Sequence, residues 1–202
     1  MDKHPGLRPR NVTATDDERA ALLNAAPPHL KLWMLLCADL AIRSSTAARL
    51  SRADYNADRR ELRFETKCGE RLTLPVTAAV EKLINECDPE DRHPFVHQLW
   101  LRNRANRGPA PHPTQDHATL RRAFKNLRLS IGITRKLTLH DLRRTTAVAM
   151  LEHSGDIRDV QALLGHRNLA STIWYLDHDL RPVKRSALET IKSPTWRMEH
   201  TA

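Results

Sequence analysis

Apolar residues recur at largely helical spacing between residues 29 and 50, and a shorter helix is predicted ahead of them. Thr13 or Thr15 is placed to cap a first helix, because the acidic residues 16–18 complement the positive end of a helix. The Pro27-Pro28 pair ends that helix. A second helix is predicted from about His29 to Leu50, where a long apolar stretch indicates a buried element.

The hydrophobic period then changes to two. Apolar residues alternate with polar ones over 61–65 and again over 72–76, and a connection containing Gly69 separates the two runs. This pattern predicts a β-hairpin. A helix from about Thr77 to Glu86 is predicted to follow it.

The middle of the chain is predicted to be mostly loop, followed by a basic helix. Residues 88–117 contain prolines throughout, with a short ordered piece over 95–101 and a basic stretch over 102–107. A helix is predicted from about 115 to 130. Its outer faces carry four cations: Arg121, Arg122, Lys125 and Arg128. Two interpretations of these cations are open, contact with phosphate groups or an ordinary solvated surface.

Three helices are predicted in the last third of the chain. Thr138 caps the first and Gly155 ends it, Asp156 opens the second and Gly165 ends it, and the third spans about 168–179. The chain therefore reads as one mainly α domain with a small antiparallel β-hairpin, an α+β fold.

Charge and composition narrow the function classes. Cations exceed carboxylates by 33 − 24 = 9, and 25 of the 33 cations are Arg. Guanidinium groups match phosphate oxygens, so this bias favours a polyanionic partner. No apolar run approaches the roughly 20 residues that cross a bilayer, and the first residues lack the apolar core of a signal peptide. We therefore expect a cytoplasmic protein without a membrane partner.

The cysteines and histidines do not form a metal site. Cys37, Cys68 and Cys87 are scattered without a CxxC spacing and read as reduced thiols. The histidines include no HExxH motif, and pairs such as His93 and His97 lack a third ligand at a useful spacing. We expect no metal and no cofactor.

Three short motifs carry the candidate chemistry. His140 and Arg143 share a helix face at spacing i, i+3, His166 follows Gly165 at a corner, and Tyr175 lies nine residues further on. Taken singly, none of these motifs is specific. His140 and Arg143 are typical of a surface hydrogen-bonding pair, His166 of a structural corner, and Tyr175 of an amphipathic core residue.

Taken together, the motifs resemble the C-terminal signature of the tyrosine recombinases, the phage integrase family. The segment 39–50 resembles the first-arginine motif of that family, and the turn 66–69 resembles the loop that carries its lysine. Two positions depart from the family pattern, since Ala41 stands where glycine is usual and Thr46 where glutamate is frequent.

The resemblance implies a role for six residues. Arg43 and Arg143 would clamp the scissile phosphate of DNA, where paired guanidinium groups offset the charge of the transition state. Tyr175 would attack the phosphorus and form a 3′-phosphotyrosine. His140 is implied as the acid/base group, His166 as a phosphate ligand, and Lys67 as the proton donor to the leaving 5′ oxygen. We assign DNA contacts to five further cations: Arg121, Arg122, Lys125, Arg128 and Arg144.

The resemblance also implies domains and partners. Residues 1–12 read as a basic flexible lead-in, 13–180 as the catalytic domain, and 181–202 as a tail with a short helix that contacts a neighbouring subunit. Family members usually carry a DNA-clamping domain ahead of the catalytic one, so the chain is either a minimal protein or a fragment. Double-stranded DNA is the expected partner, bound by a homo-oligomer, a tetramer in this family, with a monomer in solution left open.

Two alternatives remain at this stage. The three helices after residue 138 also fit a helix-turn-helix module that binds DNA without cleaving it, or a fragment that cannot assemble. A metal-dependent nuclease would need a carboxylate cluster, for which Asp39, Asp54 and Asp58 are the nearest candidates.

Overall fold

The computed structural model of the chain describes residues 12–66, 69–104 and 117–176. The first eleven residues of the predicted lead-in, Lys67 with Cys68, and the predicted tail all lie outside these ranges. None of the described helices is long and apolar enough to cross a membrane.

The first helix, α1 (Asp16–Ala25), begins at a reciprocal cap. The Thr15 hydroxyl accepts a hydrogen bond from the Glu18 backbone (3.2 Å), and the Glu18 carboxylate accepts one from the Thr15 backbone (2.9 Å). These bonds satisfy two of the amide groups that a helix start leaves unpaired. The prediction of a helix capped at this threonine is confirmed.

The second helix, α2 (Pro28–Ala38), is the centre of the core, since nine of its eleven residues are buried. The predicted continuation to Leu50 is wrong. A loop follows Ala38, and only the short α3 (Ser44–Ala47) is helical beyond it. The helix stops because Ala41 adopts a left-handed backbone, with φ at 49°. The left-handed conformation costs a residue with a Cβ roughly 1–2 kcal/mol. Because no glycine stands at this position, the sequence does not indicate that the helix ends.

The sheet has three antiparallel strands in the order β1 (Tyr55–Asn56), β2 (Glu61–Glu65) and β3 (Arg71–Pro75). Leu62 pairs with Leu74 across β2 and β3. The predicted hairpin is confirmed, and β1 is an addition to it. A strand of two residues is too short to show a period of two.

Six more helices complete the described fold. They are α4 (Ala78–Asn85), α5 (Phe95–Arg104), α6 (His117–Ser130), α7 (Leu139–Ser154), α8 (Ile157–Leu164) and α9 (Leu169–Leu176). Helices α4, α5 and α7 pack on α2, α8 packs on α7, and α9 packs on α8. The predicted mainly α fold with a small antiparallel sheet is confirmed.

Helices α7 and α8 start and stop where the sequence predicts, and α9 starts there, while its predicted end near residue 179 lies outside the described residues. Thr138 caps α7, Asp156 caps α8, and glycines 155 and 165 end these helices in the left-handed conformation. A small apolar cluster, separate from the main core, joins α9 to α8, α7 and the loop that follows α2. This cluster fixes the position of the helix that carries Tyr175.

Candidate active site

Five of the six predicted reactive residues line one cavity. Arg43, His140, Arg143, His166 and Tyr175 come from three parts of the chain and surround a volume of about 580 Å³. Lys67, the sixth, lies outside the described residues. We call this cavity the arginine pocket.

Arg43 is the N-terminal cap of α3, and the next residue holds it in place. The indole of the fully buried Trp33 donates a hydrogen bond to the Ser44 carbonyl (2.8 Å). The Ser44 hydroxyl is hydrogen-bonded to the His117 ring at the start of α6 (3.0 Å). The backbone that carries Arg43 is therefore tied to the preceding helix α2 and to the distant α6, and sequence reasoning did not find these contacts.

Arg143 is buried in α7 and donates a hydrogen bond to the Leu164 carbonyl at the end of α8 (3.1 Å). Burial lowers its pKa to about 10, and the nearby Arg43 guanidinium contributes to the lowering. Two positive groups this close favour an anion between them, since an anion would offset both the burial and the repulsion.

His166 directly follows the left-handed Gly165, which turns the chain back towards α7. Its Nδ1 is hydrogen-bonded to the hydroxyl of the fully buried Thr172 in α9 (3.0 Å). Burial, together with the charges of Arg143 and Arg43, lowers the pKa of His166 to about 4. The ring is therefore neutral at pH 7.

Tyr175 packs against both histidines of the pocket. Its ring centroid lies 5.2 Å from that of His140 and 6.0 Å from that of His166. The residue is 7% exposed, and its hydroxyl is buried with no hydrogen-bond partner of normal geometry among the described residues. Burial raises the pKa of the phenol to about 12, although the guanidinium of Arg143 offsets part of the rise.

The predicted DNA-contacting cations divide into two groups. Arg121, Arg122 and Lys125 are exposed on α6, away from the lining of the arginine pocket. The predictions for Arg128 and Arg144 are wrong, because both side chains are buried and bonded within the protein.

Each of these buried arginines ties two elements together. Arg128 donates to the Ile133 and Arg135 carbonyls and closes the turn after α6. Arg144 donates to the Tyr175 carbonyl, and its guanidinium carbon lies 5.5 Å from the centre of the Tyr175 ring. A helical pattern cannot distinguish such arginines from solvated ones, because the acceptors come from other segments.

Two of the three carboxylates considered for a nuclease, Asp39 and Asp54, are bonded within the protein. Asp39 forms an ion pair with Arg19 and accepts a hydrogen bond from the Thr77 hydroxyl (3.1 Å). Within residues 12–66, 69–104 and 117–176, no group of three or more His, Cys, Asp or Glu side chains is arranged to hold a metal ion.

Comparison with known proteins gives a consistent family match. The model of the phage integrase family matches residues 13–181. A tyrosine recombinase XerC of Histophilus somni (strain 2336) is 29% identical over 158 residues, and one of Shewanella amazonensis (strain ATCC BAA-1098 / SB2B) is 32% identical over 158 residues. Each alignment covers 75% of this chain and, respectively, 50% and 49% of the relative, so the chain spans about half of their length.

Solved structures share the fold at lower identity. The crystal structure of XerA recombinase matches with a TM-score of 0.64 at 23% identity, over 98% of this chain and 67% of that one. The catalytic domain of bacteriophage HP1 integrase matches with a TM-score of 0.62 at 20% identity, over 90% of this chain and 96% of that one.

Proposed function

Since the chain belongs to the phage integrase family, we propose that it is a site-specific DNA recombinase that cuts and rejoins strands through a tyrosyl intermediate. The convergence of Arg43, His140, Arg143, His166 and Tyr175 on one pocket carries the proposal. These are the residue types that phosphoryl transfer to a phenol requires: paired cations, an acid/base group and a nucleophile.

The two arginines act on the phosphate. Displacement at phosphorus concentrates negative charge on the non-bridging oxygens, and a positive site formed before the reaction stabilises that charge. Arg143 is fixed by the Leu164 carbonyl, and Arg43 lies close enough to lower its pKa. A phosphate bound between the two guanidinium groups is attracted to both, and these attractions offset the repulsion between the cations.

Tyr175 supplies the nucleophile. Its phenolic oxygen forms a bond to phosphorus while the bond from phosphorus to the 5′ oxygen breaks, which leaves a 3′-phosphotyrosine and a free 5′ hydroxyl. His140 accepts the phenolic proton, and Lys67 donates a proton to the departing oxygen. Strand joining reverses both transfers. The edge-on contact of the His140 and Tyr175 rings supports this pairing.

His166 holds the phosphate as a neutral donor. When the Thr172 hydroxyl donates to Nδ1, the single proton of the neutral ring resides on Nε2. Nε2 is then the nitrogen that donates a hydrogen bond to a phosphate oxygen. The short contact between His166 and Thr172 and the low pKa of the ring support this assignment.

The phenol must move before it reacts, because its hydroxyl is buried. The element that carries it, α9, is a short helix held by a small apolar cluster. We propose that binding of DNA shifts α9 and brings the hydroxyl to the phosphate. Such a step keeps a buried nucleophile from reacting before the substrate is in place.

The remaining assignments belong to the same proposal. Residues 13–180 form the catalytic domain, and Arg121, Arg122 and Lys125 contact the DNA backbone. The protein works on DNA in the cytoplasm as a homo-oligomer, a tetramer, to which the tail 181–202 contributes a subunit contact.

The test is covalent capture. The full chain is incubated with a library of nicked duplexes that carry a randomised segment, and the products are separated on a denaturing gel. We expect a protease-sensitive DNA adduct that yields the target sequence, is absent for Tyr175→Phe and persists for Tyr55→Phe. DNA that is shifted on a native gel but never attached covalently would instead identify a non-catalytic binding module.

A further inference from the structure

A second cavity of about 360 Å³ adjoins the arginine pocket. It lies between the β2–β3 hairpin and α8, and we call it the hairpin groove. Gly165, His166 and Arg167 line both the hairpin groove and the arginine pocket. The groove and the pocket therefore lie side by side.

The groove depends on a close approach of the hairpin to the corner after α8. A Cβ atom at position 165 would lie 3.1 Å from Thr66 Cγ2 and 3.3 Å from Leu72 Cδ2. The side-chain amide of Gln161 donates to the His166 carbonyl (2.9 Å) and fixes the same corner. Because the corner is held on both sides, the groove has a defined shape next to the reacting centre.

The groove is positively charged. Arg71 of β3, Arg158 of α8 and Arg167 line it, and Glu70 is the one carboxylate in its lining among the residues that the structure describes. Three cations less one carboxylate leave a charge of +2, since His166 is neutral at pH 7. Arg167 Nε lies 3.4 Å from Glu70 Oε1, and both side chains are well exposed. An exposed pair of this kind is weak and exchanges partners readily.

We propose that the hairpin groove binds the DNA backbone next to the scissile phosphate, with Arg71, Arg158 and Arg167 as its phosphate ligands. In the free protein the Glu70 carboxylate forms an ion pair with the Arg167 guanidinium, and a DNA phosphate takes the place of that carboxylate when DNA binds. This inference rests on the proposed function for the identity of the ligand. It assigns DNA contacts to three arginines that come from separate segments and were not among the predicted ones.

The arrangement suits a polyanionic strand better than a small anion. We expect a strand laid in this open groove to present successive phosphates to the three arginines that line it. Each phosphate contact releases bound counterions and adds about 0.9 to the slope of log affinity against log salt. The slope therefore counts the contacts.

The experiment measures that slope. Tyr175→Phe protein, which cannot form an adduct, is titrated with a fluorescent mixed-sequence duplex at several salt concentrations. We expect each of three variants to have a slope about 0.9 smaller than that of the Tyr175→Phe parent: Arg71→Gln, Arg158→Gln and Arg167→Gln. When the salt concentration rises fourfold, the affinity of each variant should therefore fall by a factor about threefold smaller than the affinity of the parent does. Affinity at low salt falls correspondingly.

The chain offers a matched control pair on the same sheet. Arg63 and Glu61 form an exposed ion pair (3.3 Å) that lies outside the lining of the groove. Arg63→Gln and Glu61→Gln make the same changes of net charge as the groove variants. We expect both to leave the slope unchanged. Glu70→Gln should keep the slope, because the number of phosphate contacts stays the same, and raise affinity about threefold, because Arg167 no longer has to leave a carboxylate.

The outcomes separate this inference from the proposed function. If the groove variants change the slope no more than the controls do, the groove is not a DNA site, whether or not wild-type protein forms an adduct. If the groove variants behave as expected and wild-type protein forms no adduct with the library, the groove stands as a DNA site and the recombinase proposal fails.

A neutral phosphate locates the contact. On the duplex recovered as an adduct, a single methylphosphonate next to the cleaved position should abolish the difference between wild-type protein and Arg158→Gln. A difference that persists for methylphosphonates at every neighbouring position would place the contact elsewhere and overturn the assignment.

Discussion

Replacing Tyr175 with phenylalanine removes one oxygen atom that is both the proposed nucleophile and a buried polar group. The hydroxyl has no hydrogen-bond partner of normal geometry among the described residues, and the residue is 7% exposed. The substitution keeps the ring and its contacts with the two pocket histidines. It therefore separates the effect of the oxygen on stability from its effect on chemistry.

The expected change in stability is favourable. A buried hydroxyl without a partner costs about 1–3 kcal/mol relative to water, and the nearby Arg143 guanidinium recovers part of that cost. We therefore expect Tyr175→Phe to raise the free energy of unfolding by about 1 kcal/mol, which is about 2–4 °C in Tm for a chain of this size. Covalent adduct formation should disappear at the same time.

The pH dependence gives a second measure of the same burial. The phenol has its pKa raised from 10.0 to about 12, so between these values the unfolded chain loses a proton that the folded chain keeps. The stability of the wild-type protein then falls as the pH rises through this range. Tyr175→Phe lacks this loss, and its advantage should grow from pH 10 to pH 12.

The assay is urea unfolding followed by circular dichroism, with Tyr55→Phe as the matched control. The Tyr55 hydroxyl has a partner, since it donates to Glu81 Oε1 (3.4 Å), so its removal should cost about 0.5–1 kcal/mol. We expect the two variants to shift the urea midpoint in opposite directions with unchanged slopes. A midpoint lowered by Tyr175→Phe would show that the hydroxyl is satisfied in the folded protein and would refute the reasoning.

Three further outcomes follow from the arginine pocket and the core. Arg43→Ala should slow adduct formation at least a hundredfold with little change in Tm, since one such donor is worth roughly 2.7–4 kcal/mol in the transition state. Arg143→Ala should slow the reaction as much and should also lower Tm, because that side chain is buried. A normal rate of adduct formation for both variants on a nicked duplex would contradict the proposed phosphate clamp. Thr172→Val should slow the reaction about tenfold by removing the partner that places the His166 proton on Nε2, and an unchanged rate would contradict that tautomer. Burial lowers the pKa of His29 to about 4 from 6.5, so stability should decline as the pH falls through this range, and His29→Leu should flatten the decline measured by thermal melts.

Much of the fold follows from local rules. The caps at Thr15 and Thr138 and the helix ends at Gly155 and Gly165 depend on hydrogen bonds within one turn, so the sequence reveals them directly. The hairpin is equally local, because its alternating residues pair across a short connection. Where the sequence carries no local signal, as at Ala41, the prediction of a continuous helix is wrong.

The candidate site illustrates the same division. The motifs around Arg43, His140, Arg143, His166 and Tyr175 are each compact in sequence, and their order and spacing identified them through the resemblance. Their convergence depends on how the loop after α2, α7, α8 and α9 pack together. Spacing along a chain cannot supply that information, because the residues are separated by up to about 130 positions.

The sequence alone determined the types of the candidate reactive side chains, the ends of most helices and the excess of arginine. Tertiary structure decided which arginines are buried, because the acceptors of Arg128 and Arg144 lie outside the helices that carry them, in the turn after α6 and in α9. It also decided that the Tyr175 hydroxyl is buried and that Arg71, Arg158 and Arg167 share one groove. Burial and electrostatic environment are properties of neighbours in space, and the packing of the helices and the hairpin sets those neighbours.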